Sequence, residues 1–249
     1  MCVPVDAELP DIGLPFPLPT GERVTLTSAD GARFAAHRAD AVEPTGTGIV
    51  VLPDVRGLFT FYERLAEAFA ASGYDAVSID YFGRTAGLAP RDADWDHMAH
   101  VEKVEPAQIR DDVAAAVDLL RRERGVSRVM TVGFCMGGAF SLRQGLAGHG
   151  LAGVVSFYGT ANAWRGKLEP IYDRASEFEG RVLGLYGGAD KGIPVADVER
   201  FDQALTDGGV DHEIHVYPGA PHSFFDRGYE DWADQCRDAW RRVMAFAAV

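Results

Sequence analysis

The 249-residue chain reads as an α/β protein with a mostly parallel central sheet of about eight strands and helices on both faces. Three observations carry that reading. Apolar, β-branched runs such as Gly48-Ile49-Val50-Val51-Leu52-Pro53 lack the alternation of a half-exposed strand and belong to strands buried on both faces. Such runs alternate with segments of helical apolar spacing, the rhythm of a parallel sheet with crossover helices. One of them, Val129-Met130-Thr131-Val132, passes directly through Gly133-Phe134-Cys135-Met136-Gly137-Gly138 into a small-residue helix pattern.

In order, residues 1–20 carry several prolines and little periodicity and read as an irregular lead-in. Residues 22–28 and 32–38 read as two strands joined by an Asp30-Gly31 hairpin turn. After the buried run at 48–53, Thr60-Phe61-Tyr62-Glu63 has capping-box spacing, and Phe61, Leu65, Ala68 and Phe69 form a helical stripe that Gly73 ends. A strand over 76–81 follows. Residues 83–106 are polar and punctuated by Pro and Gly, which predicts a long loop or a short broken helix that serves a site. Ile109, Val113, Val117 and Leu120 predict an amphipathic helix. The Gly-Cys strand and its helix, to about 146, come next. Strands over 151–157, 182–186 and 212–217, an excursion over 160–180, and helices over 195–205 and 229–248 complete the chain. No repeat or linker divides it, so residues 1–249 are expected to form one domain.

Nearly half the residues are apolar, and the net charge is −13. Disorder is thereby excluded, and a nucleic acid or anionic membrane is a poor partner, since either calls for a basic face. The three cysteines show no disulfide or metal spacing: Cys2 lies in the lead-in, and Cys236 lies on the apolar face of the last helix, between Trp232 and Trp240. A reducing cytoplasm is the expected location. No segment reads as a signal peptide or a membrane span. His37, His97, His100, His149, His212 and His215 fit no ligand spacing, so neither metal nor cofactor is expected.

The strand–turn–helix at Cys135 has the layout of a nucleophile elbow, with Cys where Ser is familiar. Such a turn strains the nucleophile's backbone, and a Cβ at Gly133 or Gly137 would collide with the neighbouring strand and helix. A thiol is mostly protonated near neutrality and needs a base within hydrogen-bond reach. In chain order an acid and then a histidine should follow later strands. Tyr186-Gly187-Gly188-Ala189-Asp190 and Pro221-His222-Ser223-Phe224 occupy those places. Asp190 would fix the tautomer of His222 and stabilise its charged form. The backbone N–H groups of Met136 and Val55 are the expected oxyanion donors. Taken alone, Asp190 could be a turn cap and His222 a polar loop residue.

The G-x-C-x-G-G elbow, the Gly-Gly-Ala-Asp turn, Pro-His-Ser-Phe and Ile79-Asp80-Tyr81-Phe82-Gly83-Arg84 together resemble the dienelactone hydrolases, carboxymethylenebutenolidase-like members of the α/β-hydrolase superfamily. The resemblance covers about residues 45–245. It implies a Cys–His–Asp triad that opens lactones or esters through a thioester. It also implies a thiol-activating acid at Asp54, where the family usually has glutamate. Carboxylate-binding arginines map to Arg84 and to Arg227, which stands five rather than four residues after the histidine. Tyr158 and Ser223 match pocket-lining positions. Loop capping for Asp54, and ion pairs or core packing for the other four, are the competing readings.

The sequence therefore predicts a cysteine-dependent carboxylic ester or lactone hydrolase, with Arg84 favouring a carboxylate-bearing substrate. Its rivals are a non-enzymatic small-molecule-binding module on the same fold and an acyltransferase using the same triad. Oligomeric state is not encoded in any motif.

Overall fold

A hairpin opens the first of two units in the computed structural model, which describes residues 8–14, 17–92 and 94–249. Strands β1 (Glu22–Thr27) and β2 (Arg33–Ala39) run antiparallel, with Glu22 opposite Arg38 and Thr27 opposite Arg33. Asp30 accepts the Ala32 N–H across the turn at 3.0 Å, as the Asp-Gly signal predicts. Strand β3 (Thr47–Leu52) is buried at every position and pairs parallel with β4 (Asp75–Ile79), which in turn lies antiparallel to β2. The order within this unit, which runs to Val129 without Pro10–Ile12, is β1-β2-β4-β3.

Helix α1 (Thr60–Ala71) buries Phe61, Leu65, Ala68 and Phe69, as the apolar spacing predicts. Its capping box does not form: Phe59 is the N-cap and no side chain caps the helix. The excursion after β4 contains the short helices α2 (Gly83–Ala86) and α3 (His97–Val101). Helix α4 (Pro106–Arg124) starts on a proline that needs no N–H partner and ends on Gly125 in the left-handed region.

The second unit consists of Pro10–Ile12 and Met130–Val249. Its strands β5 (Arg128–Phe134), β6 (Gly153–Phe157), β7 (Arg181–Gly187) and β8 (His212–Tyr217) are parallel and adjacent in that order. Helices α5 (Met136–Gln144), α6 (Val195–Asp207) and α7 (Ala233–Ala247) alternate with them, and a 3₁₀ turn at Tyr172–Glu177 lies within the 160–180 excursion. The last helix begins at Ala233 rather than Tyr229, because residues 229–232 form turns and Trp232 becomes the N-cap. Cys236 is buried on its inner face beside Trp240, while Cys2 lies outside the described residues.

Register does most of the work of placing the site. Phe134 is level with Phe157, Phe157 with Leu185, and Gly187 with Tyr217. Segments leaving the carboxyl ends of neighbouring parallel strands therefore emerge side by side, the usual location of ligand sites in open α/β sheets. Among the described residues no helix is long and apolar enough to cross a membrane.

Candidate active site

Cys135 leaves β5 with φ 55° and ψ −114°, a conformation a side-chain-bearing residue adopts only when its surroundings impose it. Two backbone bonds impose it here. The Cys135 N–H donates to Phe157 O at 3.0 Å, and the Cys135 carbonyl accepts the Ala139 N–H at 3.0 Å. Gly133 is obligatory below the turn, since a Cβ there would lie 2.0 Å from the Gly137 oxygen. A Cβ at Gly138 would lie 2.7 Å from the Phe157 oxygen, also too close. The thiol is half-buried rather than sealed in the core.

Asp190 follows β7 on the Gly187-Gly188 turn. Its side chain is almost completely buried, and Oδ1 accepts the N–H groups of Gly192 at 2.8 Å and Ile193 at 3.2 Å. The other oxygen, Oδ2, lies 2.6 Å from His222 Nδ1. A carboxylate can only accept, so Nδ1 carries the proton and Nε2 is the free lone pair of the neutral ring. Gly187 allows the two loops to touch: a Cβ there would stand 2.4 Å from Ala220 O and 2.6 Å from Pro221 O. The contact is closed by Gly188 N–H to Tyr217 O at 2.8 Å and Ala189 N–H to Ala220 O at 2.9 Å.

Behind His222, Phe224 and Phe225 are fully buried. Phe225 packs 4.8 Å from Phe157, whose ring stacks 4.6 Å from Phe134 below the elbow. Each phenyl group contributes about 1.5–3 kcal/mol on burial, which anchors the histidine loop to the strand that presents the thiol. The His222 side chain keeps a third of its surface exposed, so it faces both the carboxylate and solvent. Burial works against its charged form. The hydrogen bond to Asp190, with the Asp190 charge and the nearby Cys135 sulfur, outweighs that and raises His222 to about 10. Cys135, Asp190 and His222 are thus brought together within the second unit.

The other expected residues stand as follows. Met136 is the first residue of α5 and buried, its N–H at the start of the helix next to the thiol. Asp54 and Val55 follow β3 in the first unit, where Asp54 Oδ1 accepts the Arg56 N–H at 2.8 Å, the Asx turn foreseen as its competing role. Arg84 is committed within the same unit. Its Nη1 and Nη2 bind both oxygens of fully buried Asp112 at 2.7 and 2.8 Å, and Nε and Nη2 bind Asp30 at 2.9 and 3.0 Å. Arg227 is exposed on the histidine loop. Tyr158 is fully buried with φ 39°, and Ser223 is buried with φ 61°. The Tyr158 hydroxyl is turned inward and donates to Asp226 at 3.0 Å.

Three structural anchors escaped the sequence reading. Fully buried Asp80 binds Arg91 through both oxygens at 2.7 Å and accepts the Leu58 and Phe82 N–H groups, which ties the loop after β3 to the 83–96 excursion. Arg143 on α5 donates to the carbonyls of Ala139, Thr160, Asn162 and Glu169, holding the segment after Tyr158 against the elbow helix; burial lowers its pKa to about 10. Asp226, four residues after His222, is the third. Only the spacing from the histidine could have flagged it.

The parallel strands, the helices between them and the strand-to-helix elbow at Cys135 have the architecture of an α/β-hydrolase. Residues 34–248 match the model of the dienelactone hydrolase family, and the chain belongs to that family. An Escherichia coli K12 protein named "Putative carboxymethylenebutenolidase" is 30% identical over 229 residues, covering 88% of this chain and 84% of its own. A Methylorubrum extorquens protein of the same name is 29% identical over 229 residues, covering 89% and 78%. Among solved structures, a Klebsiella pneumoniae protein titled "Putative Dienelactone Hydrolase" superimposes with a TM-score of 0.77 at 26% identity, over 91% of this chain and 99% of its own.

Proposed function

We propose that the chain opens a lactone or carboxylic ester through an acyl-thioester on Cys135. The observation that carries this reading is His222 held at 2.6 Å by buried Asp190, with Cys135 near enough for its charge to act on the ring. In this reading Cys135 and His222 form a thiolate–imidazolium pair, the form in which the sulfur is nucleophilic. The Cys135 thiolate attacks the acyl carbon, and the carbonyl electron pair moves to oxygen, where the Met136 N–H donates to it. The tetrahedral adduct collapses, the C–O bond to the leaving alkoxide breaks, and the His222 imidazolium gives that alkoxide its proton. Neutral His222 then takes a proton from water as it attacks the thioester. Cys135 leaves as thiolate, the acid is released, and the ion pair is restored.

A substrate carboxylate has no evident anchor in this scheme. Arg84 has four of its N–H donors on Asp30 and Asp112, and the position four residues after His222 is itself a carboxylate. An uncharged ester is the better match.

The test is turnover of p-nitrophenyl acetate and of a dienelactone by wild type, by iodoacetamide-treated protein and by Cys135→Ala. Both treatments are expected to reduce kcat/KM by about 10³-fold or more. Activity surviving both would remove Cys135 from the mechanism.

A further inference from the structure

Asp226 is a second carboxylate beside His222, and the reaction scheme above gives it no task. It is fully buried, where an ionised group is tolerated only with donors around it. Oδ2 accepts from the Tyr158 hydroxyl at 3.0 Å and Oδ1 from the Arg227 N–H. The Tyr158 ring packs 5.0 Å from the His222 ring at 55°, and its own backbone is held by N–H to Leu185 O at 2.8 Å. Asp226 therefore fixes the aromatic face on which the histidine rests.

We propose that Asp226 is a positioning residue for His222: with Tyr158 and Ser223 it holds the ring, and its charge favours the imidazolium form that keeps the Cys135 sulfur ionised. The proposal rests on the thiolate reading given above. The groups that face Asp226 are Tyr158 from the end of β6, Ser223 and His222 from its own loop, and Cys236 from α7. His222 in turn faces Asp190, Cys135 and the Tyr158 ring. Burial raises the pKa of Asp226, and the Arg227, Tyr158 and Ser223 hydrogen bonds together with the His222 charge counter that rise. The two charges support one another: carboxylate and imidazolium are each more stable when the other is present. Asp226 also helps to push the Cys236 thiol up to about 12, after burial, so that the second described cysteine stays protonated.

The experiment measures iodoacetamide alkylation of Cys135 against pH, followed on the Cys135 peptide by mass spectrometry so that Cys2 and Cys236 do not contribute. This reads the thiolate without any ester turnover. Asp226→Asn removes the charge and keeps its one oxygen for the Arg227 N–H, while its amide group can donate to the Tyr158 hydroxyl. Alkylation at pH 7 is expected to slow by about three- to tenfold, with the profile midpoint moving up by roughly half to one pH unit. Tyr158→Phe removes one donor to Asp226 and is expected to move the midpoint in the same direction by less. A folded Asp226→Asn with an unshifted midpoint overturns the proposal, even if its Tm falls. If that variant does not fold, an unshifted Tyr158→Phe overturns it. A wild-type Cys135 no more reactive than a free thiol would overturn this proposal and the thiolate reading together, whereas a reactive wild type with unshifted variants overturns this one alone.

Discussion

Gly187→Ala probes the loop contact on which the site depends, without touching any reacting group. The added methyl carbon would lie 2.4 Å from Ala220 O, 2.6 Å from Pro221 O and 3.0 Å from Ala220 C. All three are backbone atoms, so no side chain can swing aside. Restoring a contact of 3.0 Å requires the Asp190 turn and the His222 loop to separate by at least 0.6 Å, the difference from 2.4 Å. Overpacking of this kind costs about 1–3 kcal/mol, hence a fall of roughly 2–10 °C in Tm for a chain of this size. The larger effect falls on the 2.6 Å bond between His222 and Asp190, which has no slack. Displacing a positioned group by about an ångström reduces turnover by about 10²-fold, so a loss of roughly 10- to 100-fold in kcat/KM on p-nitrophenyl acetate is expected. Thermal unfolding and kinetics on the same preparation separate the two effects. A variant that keeps wild-type kcat/KM at full occupancy of the folded state would refute the claim that this contact sets the acid–histidine geometry.

Asp190→Asn should lower kcat/KM by about 10²–10⁴-fold with little change in KM, and steady-state kinetics will show it. The same variant should move the alkaline limb of the pH–rate profile below its wild-type position near 10, because it removes a charge that raises His222. For Arg84→Met, which leaves Asp112 buried and unpaired, a loss of about 3–5 kcal/mol in denaturant unfolding is expected; the ratio of kcat/KM for a carboxylated lactone to that for its methyl ester should not change. Stability should also follow His222. Its folded pKa of about 10 exceeds the ordinary imidazole value of 6.5, so its contribution is complete below pH 6.5 and lost as pH rises through 10. The Tm difference between wild type and His222→Gln, measured from pH 6 to 10.5, should shrink over that interval.

What could be read from the chain, and what could not, divides along the range of the interactions. The buried strands and the amphipathic helix α4 were legible because hydrophobic periodicity is a local property that tertiary structure reinforces. The elbow was legible for a related reason: its glycines stand close together in the chain, and Gly133, one of the two expected to be crowded, does meet its own helix, while Gly138, which meets the next strand, was not singled out. Asp190 and His222 were placed by chain order and by the ends of their strands. The capping box at Thr60 failed because Phe59, extended and packed 5.0 Å from Tyr62, took the N-cap position.

The arginines and carboxylates were the least legible, because a charged side chain in a sequence does not say with what it will be paired. Arg84 looked available until Asp112, 28 residues away, and Asp30, 54 residues away, were seen to hold it. Asp226, between Phe225 and Arg227, carries no local signal of burial. It is buried because Phe224 and Phe225 draw the chain inward, and Tyr158 meets it from 68 residues away. The pattern Pro-His-Ser-Phe-Phe-Asp thus contains both a histidine for solvent and an acid for the interior. The two phenylalanines separate them, and the same hydrophobic anchoring that presents the imidazole also carries a second carboxyl group into the interior.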